Sequence, residues 1–209
     1  MSPRFVRALG ALAIVVLLPA AGQAQSASGL RGYVTFGSTS LTAADTFDAV
    51  AGSSRAPTIG GGVAATLWKG VFVDVAASRI KVDGERVFVN DGTVFPLGIP
   101  LEISLTPLDV AGGWRTGARV QTYAGAGITR IAYKETSDFS VAADDVDSSA
   151  SGLLVLGGVD VALSQWLHVG GEIRYRRVEG VLGEGGVSEI FGERELGGFT
   201  AAVRFAVGR

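Results

Sequence analysis

From Leu30 onward, apolar and polar positions alternate with a period of two, the repeat of a strand with one face in an apolar setting. The clearest stretch runs from Trp166 to Arg176. There Leu167, Val169, Gly171, Ile173 and Tyr175 alternate with His168, Gly170, Glu172, Arg174 and Arg176. A helix would scatter those charges around its circumference. Phe199, Ala201, Val203, Phe205 and Val207 form a second apolar face, and Leu153, Val155, Val159, Val161 and Leu163 a third with Asp160 opposite. Val71, Val73, Val75 and Ala77, opposed by Asp74 and Ser78, make a fourth, and Ile59, Val63, Ala65 and Leu67 a fifth. Leu30 to Gly37 and Val120 to Tyr133 fill two further places; the second is so rich in Gly and Ala that its faces are left unassigned.

In Leu101 to Arg115 the parity changes. Leu101, Ile103 and Leu105 stand on odd positions, Leu108, Val110 and Trp114 on even ones, which predicts a β-bulge or break at Thr106-Pro107, where proline cannot donate to a ladder. Lys69-Gly70, Thr116-Gly117 and Ser164-Gln165 read as tight turns. By contrast, Gly37 to Ala56, Lys134 to Ala150 and Val178 to Glu195 read as long polar loops. Arg86, Val87 and Phe88, then Asn90-Asp91-Gly92, then Val94 and Phe95 read as a hairpin standing clear of the rest. The count is about eight strands in one domain, an even number that lets the first and last pair and leaves no open edge. The fold class expected is all-β, a single closed antiparallel up-and-down barrel spanning residues 25–209.

Ahead of the strands, Arg4 and Arg7 precede an apolar run from Ala8 to Ala21 and the small residues Gly22-Gln23-Ala24, the order of a secretory signal peptide cleaved after Ala24. The run is shorter than the roughly 18 to 20 residues of a membrane span and carries Pro19. Beyond it no stretch is long and apolar enough for a membrane helix, so a membrane would be met with strands. Without the leader, 16 basic residues remain of the 18, against 20 acidic ones, which is not a nucleic-acid binder's balance. The chain has no cysteine, so disulfides, thiolate metal sites and a lipidated cysteine are all excluded.

Side-chain size indicates which face looks outward. The charged faces carry small neighbours such as Gly158, Ala162, Gly170 and Ala202, suited to a narrow interior, while the other faces carry Val, Leu, Ile and Phe. Trp68, Trp114 and Trp166 all fall beside the short turns, as in an interfacial aromatic girdle. A soluble barrel with its apolar face inward is the alternative. Short turns then face the periplasm and long loops the outside.

The mature chain resembles the small outer-membrane barrels of the OmpA, OmpX and OmpW type. The likeness rests on Tyr123-Ala124-Gly125-Ala126-Gly127, the Leu167 to Tyr175 strand and the terminal Gly198 to Val207 strand. It implies a bacterial outer-membrane location and outer-membrane lipids as neighbours. Such barrels commonly end on an aromatic residue, whereas this chain ends Val207-Gly208-Arg209.

With the apolar face outward, Asp74, Asp160, His168, Glu172, Arg174 and Arg204 point into the lumen, joined by Arg31. In so narrow a bore they are expected to form a salt-bridged plug. No enzyme is expected, because no Gly-x-Ser-x-Gly elbow occurs and no serine can be set beside the single histidine. No cofactor or metal site is expected either: Asp144, Asp145 and Asp147 lack the spacing of a calcium loop and read as a solvated acidic loop. The role expected is structural or interactive, as a monomer meeting a surface partner through the loops and the ribbon of Arg86, Val87, Phe88, Val94 and Phe95. A narrow channel for small solutes is the alternative.

Overall fold

The computed structural model describes residues 29–90, 93–137, 146–183 and 186–209, leaving out the side chains at 89, 90, 146, 147 and 186. The leader over residues 1–24, Asp144, Asp145 and the side chain of Asp147 lie outside the described residues. Eight strands close into one antiparallel barrel in sequence order. They are β1 (Gly29–Leu41), β2 (Arg55–Thr66), β3 (Val71–Asn90), β4 (Thr93–Thr116), β5 (Val120–Ser137), β6 (Val146–Ala162), β7 (Leu167–Glu179) and β8 (Glu195–Gly208). Closure comes from β1 pairing with β8, Gly32 opposite Val207 and Ser40 opposite Phe199, so neither terminal strand leaves an edge.

At one end the connections are tight. Lys69 and Gly70 both have positive φ, and Val71 N–H donates to the Trp68 carbonyl at 3.0 Å, which is the two-residue turn whose twist matches the flanking strands. Ser164 Oγ accepts from the amides of Trp166 and Leu167 and closes a second turn. At the other end, two loops contain short helices the sequence pattern does not announce: α1 (Ala44–Ala51) and α2 (Gly186–Ile190). Phe47 of α1 is buried, and the helix runs so close over β3 that a side chain at Gly84 would collide with the Val50 carbonyl. The amides of Asp45 and Thr46 donate to the Glu193 carboxylate at 3.1 and 2.8 Å, so the loop before β8 caps the helix after β1. Glu193→Ala is expected to loosen α1 locally by about 0.5–2 kcal/mol. Faster hydrogen exchange of the α1 amides, with strand amides unchanged, is the readout.

At Thr106-Pro107 the structure has a break on the β3 side and no bulge. Toward β5 the ladder runs Thr106 to Ala132 and Pro107 to Ile131 without a shift. Toward β3, pairing lapses beside the proline but keeps register, Ala77 opposite Leu108 and Ile80 opposite Leu105. The irregularity lies further along, between Glu85 and Val87. Odd positions of β4 from Leu101 to Arg115 face inward, and it is the surroundings that change. Below Leu108 the inside holds Asp109 and Arg115 while Leu108, Val110 and Trp114 are exposed. Above it, Leu101, Ile103 and Leu105 are buried and Thr106 turns outward. They join Phe47, Ile80, Val82, Ile131, Val178 and Leu196 in an apolar core inside the mouth. Leu105→Ala is therefore expected to cost about 2–5 kcal/mol, read as a lower urea midpoint for unfolding from lipid.

The outer surface carries a broad apolar belt. Phe36, Ile59, Val75, Val110, Ile128, Val155, Ile173 and Val203 are all exposed large side chains. In water such a continuous patch would be a liability, whereas in hydrocarbon it is the required surface. The strands are transmembrane, and the barrel is of the outer-membrane kind.

Candidate functional site: the charged lumen and the chamber above it

Arg174 stands at the centre of the bore. Its Nε donates to Glu172 Oε1 at 2.6 Å, its Nη1 to Asp109 Oδ2 at 2.9 Å, and its Nη2 to Tyr33 Oη and Asp74 Oδ1 at 2.7 and 3.0 Å. The Tyr33 hydroxyl donates onward to the Asp74 carboxylate. Glu172 also accepts from Tyr123 and from Arg204 Nη1, at 3.0 and 3.1 Å. Asp109 accepts from Arg176 and from Thr129 Oγ1, at 2.7 Å in each case. Arg176 reaches Thr200, whose hydroxyl continues through Thr39 to Thr58. Three carboxylates and three guanidinium groups, carried by β3, β4, β7 and β8, thus neutralise one another in a water-poor interior. Those contacts are charge-assisted, which offsets the desolvation of each ion.

Aromatic rings stack between the cations. Arg204 lies 3.7 Å from the Tyr33 ring centroid and 5.2 Å from that of Tyr123, and Arg115 lies 5.0 Å from Tyr123. Glycine makes room for both rings. A Cβ at Gly62 would sit 2.7 Å from the Tyr33 hydroxyl, and one at Gly158 would sit 2.4 Å from that of Tyr123. Gly158→Ala is therefore expected to push Tyr123 off Glu172 and lower the temperature at which the folded band is lost on a gel, whereas Gly171→Ala, which meets nothing within 4 Å, leaves it unchanged.

Of the residues named from sequence, Asp74, Asp160, His168, Glu172, Arg174 and Arg204 are all buried and inward-facing. Four of them, Asp74, Glu172, Arg174 and Arg204, meet in one network. Asp160 and His168 do not join it. Asp160 lies nearer the short turns, 3.9 Å from Arg115, and neither its oxygens nor His168 Nδ1 has a hydrogen-bond partner among the described residues. Arg31 is half-buried and donates to Gln121 at 2.6 Å. Sequence reasoning did not place Asp109, Arg176, Tyr33 or Tyr123 in the lumen network. Asp109 sits between the outward Leu108 and Val110, and Arg176 continues the series Glu172, Arg174. The void left beside the network, lined by Tyr33, Thr58, Glu172, Arg174 and Thr200 among others, amounts to about 10 Å³, the room of a single water.

Trp68, Trp114 and Trp166 are exposed and stand at the short-turn end of the barrel. In the ribbon formed by β3 and β4, Phe88 pairs with Phe95 and both are exposed, while Arg86, Val87 and Val94 are partly covered. The sequence holds a Ser-x-x-Lys spacing that the sequence reading missed, Ser78 to Lys81; the two fall on opposite faces of β3, and Lys81 is engaged by Glu102 at 2.8 Å. Lys81 in turn holds the Glu102 carboxyl below its usual range.

Above the ion pairs the bore widens into a chamber of about 530 Å³ beneath α1 and α2. Phe47, Leu101, Ile103 and Leu182 are among its walls. At its side the Tyr133 hydroxyl donates to Glu135, and burial together with that carboxylate holds the phenol well above its usual range.

No family pattern and no curated protein matches the chain. Solved structures do. A major outer membrane protein from Thermus thermophilus superimposes with a TM-score of 0.56 at 10% identity, over 88% of this chain and 100% of that one. The architecture is that of the small outer-membrane barrels. Ail of Yersinia pestis, solved in complex with the heparin analogue sucrose octasulfate, gives 0.53 at 9% identity, over 86% of this chain and 98% of its own. The outer membrane protein OprG from Pseudomonas aeruginosa gives 0.52 at 12% identity, over 87% and 95%. At such identities the likeness is one of fold.

Proposed function

We propose that this chain is an exported, non-enzymatic outer-membrane protein with a closed lumen, working on the outer side of the membrane through its ribbon and loops. The observation that carries the reading is Arg174, which bridges Asp74, Asp109 and Glu172 across the bore, with a void of about 10 Å³ beside it. An ion crossing that layer would have to break contacts made in a desolvated interior. Planar bilayers holding the purified barrel should therefore stay silent. Discrete conductance steps would favour the narrow-channel reading instead.

The surface role rests on the ribbon. Among the described residues β3 pairs with β2 only as far as Ile80, and β4 with β5 only from Leu101, so beyond those points the described outer edges of the hairpin carry no strand and are available to a partner strand. The heparin analogue in the Ail structure suggests a sulfated glycan as another ligand. Here, however, Lys81 is engaged by Glu102, and Arg177 by Glu179 and Glu195, so strand pairing with a protein is the reading favoured. Deleting residues 86–95 is expected to abolish the adhesion that display of the full chain confers on cells, while the barrel still migrates as a heat-modifiable band. Adhesion that survives the deletion removes the ribbon from the reading. In the same picture the leader over residues 1–24 directs export, Trp68, Trp114 and Trp166 anchor the periplasmic interface, and the barrel acts as a monomer among outer-membrane lipids without a cofactor.

A further inference from the structure

The outward face of the barrel changes chemistry where the apolar belt ends on the long-loop side. Going up from the belt, the first charged residue on that face is an arginine on four strands: Arg55 on β2, Arg79 on β3, Arg130 on β5 and Arg177 on β7, all exposed. The acids Asp83, Glu102 and Glu179 stand farther up their strands. Some of the basic side chains at this rim are already answered. Arg177 is held by Glu179 and Glu195, and Lys134 stands opposite Asp147 in the ladder. Glu102, whose field Arg79 also feels, is bonded to Lys81 at 2.8 Å. Arg79 and Arg130 themselves form no ion pair among the described residues; Arg130 Nη2 donates to the Ser149 hydroxyl at 2.8 Å.

These two arginines flank one spot on β4. Arg130 pairs with Leu108, and Arg79 falls level with Thr106, since Ala77 stands opposite Leu108 and Ile80 opposite Leu105. Strand spacing and rise put their Cα atoms about 12 Å apart, close enough for both guanidinium groups to meet over Thr106. The floor there is shallow and hydroxylated: Thr106 and Ala132 are exposed, Ser149 stands opposite Ala132, and Ser151 opposite Arg130. Directly below, Leu108, Val110 and Ile128 begin the belt. A group held at this height therefore has the headgroup layer around it and hydrocarbon beneath. An arginine fork matches phosphate oxygens two at a time. A phosphomonoester, with a charge of roughly −1.5 to −2 and three acceptor oxygens, suits two such forks better than the less charged phosphodiester of an ordinary phospholipid. The surrounding hydroxyls suit a sugar. From this placement we propose that the β3–β5 face binds a phosphorylated glycolipid of the outer leaflet. Its sugar phosphate is clamped between Arg79 and Arg130 beside Thr106, and its acyl chains run down the belt over Leu108 and Val110.

The test titrates the purified barrel in detergent micelles with bisphosphorylated lipid A and counts bound lipid by native mass spectrometry. One lipid per barrel is expected to bind ahead of any others. Arg79→Gln combined with Arg130→Gln should weaken it by at least about tenfold, because two cations are lost from the headgroup layer. Lys81→Gln combined with Arg177→Gln removes as much charge from the same rim, but from side chains already paired, and should leave binding within about threefold of wild type. All four residues are exposed, so heat-modifiable migration should be retained in both double variants. Lipid A stripped of its phosphates probes the wild-type barrel directly. It should bind no better than intact lipid A binds the Arg79→Gln, Arg130→Gln variant. Equal losses in the two double variants, no preference for the phosphorylated lipid, or phosphatidic acid binding as tightly as lipid A overturns the proposal. Displacement of lipid A by an equal concentration of inorganic phosphate overturns it too, since that would mark a site for the free ion.

Discussion

Arg174→Ala is expected to lower the stability of the folded barrel by about 3–5 kcal/mol, the cost of removing one partner from a buried ion cluster. The loss should be uneven across the network. Asp109 keeps Arg176 and Glu172 keeps Arg204, but among the described residues Asp74 is left with the Tyr33 hydroxyl alone as hydrogen-bond partner. Adding Asp74→Asn to Arg174→Ala should therefore return part of the loss, with a coupling of about 1–3 kcal/mol in a double-mutant cycle. Urea titration of the barrel in lipid vesicles, following tryptophan emission, measures both. A single variant as stable as wild type would show that the layer contributes little, and with it would fall the argument that the lumen is held shut. The same variant offers a gain-of-function control for the bilayer measurement, since shortening Arg174 opens space where it now touches four side chains.

Val110→Lys is expected to have the other large effect, for the opposite reason. Val110 is exposed and lies between Val75 on β3 and Ile128 on β5, also exposed, in the middle of the apolar belt. A lysine near the bilayer midplane of a barrel costs about 2–4 kcal/mol, falling toward zero at the interfaces. Thr106→Lys, outward on the same strand but above the belt, should cost far less. If the two variants were equally tolerated, the outward face of β4 would not be in hydrocarbon. The comparison is informative because the residues share a strand and a face, so strand propensity cannot separate them.

Much of this architecture was legible in the sequence because alternation is a local property. A strand between lipid and a narrow charged bore must place large apolar side chains on one parity, as Leu167 to Tyr175 do, and small or charged ones on the other, as Glu172 and Arg174 do. The Lys69-Gly70 turn was legible for an equally local reason: both residues take positive φ, which glycine tolerates freely. The helices were not legible. α1 and α2 are too short to hold themselves together and form because Phe47 finds a cavity lined by residues from other strands. Nor were the faces of Val120 to Tyr133, where glycine and alanine lie on both sides. Only pairing with β4 and β6 shows that Tyr123, Thr129 and Ile131 turn inward.

The parity change in β4 shows where local reasoning stops. Leu101, Ile103 and Leu105 looked outward so long as apolar was equated with lipid-facing, yet the inside of this barrel is itself apolar above the charged layer. Periodicity says that two faces differ and is silent on what each one meets at a given height. By itself the sequence determined that strands would form, where the tight turns fall and that a charged face must lie opposite a lipid-facing one. Tertiary structure alone decided which charges meet, because Arg174 reaches Tyr33 from 141 residues away. Partners at that separation are set by how the strands stagger around a closed ring, and a stagger is shared among all eight of them.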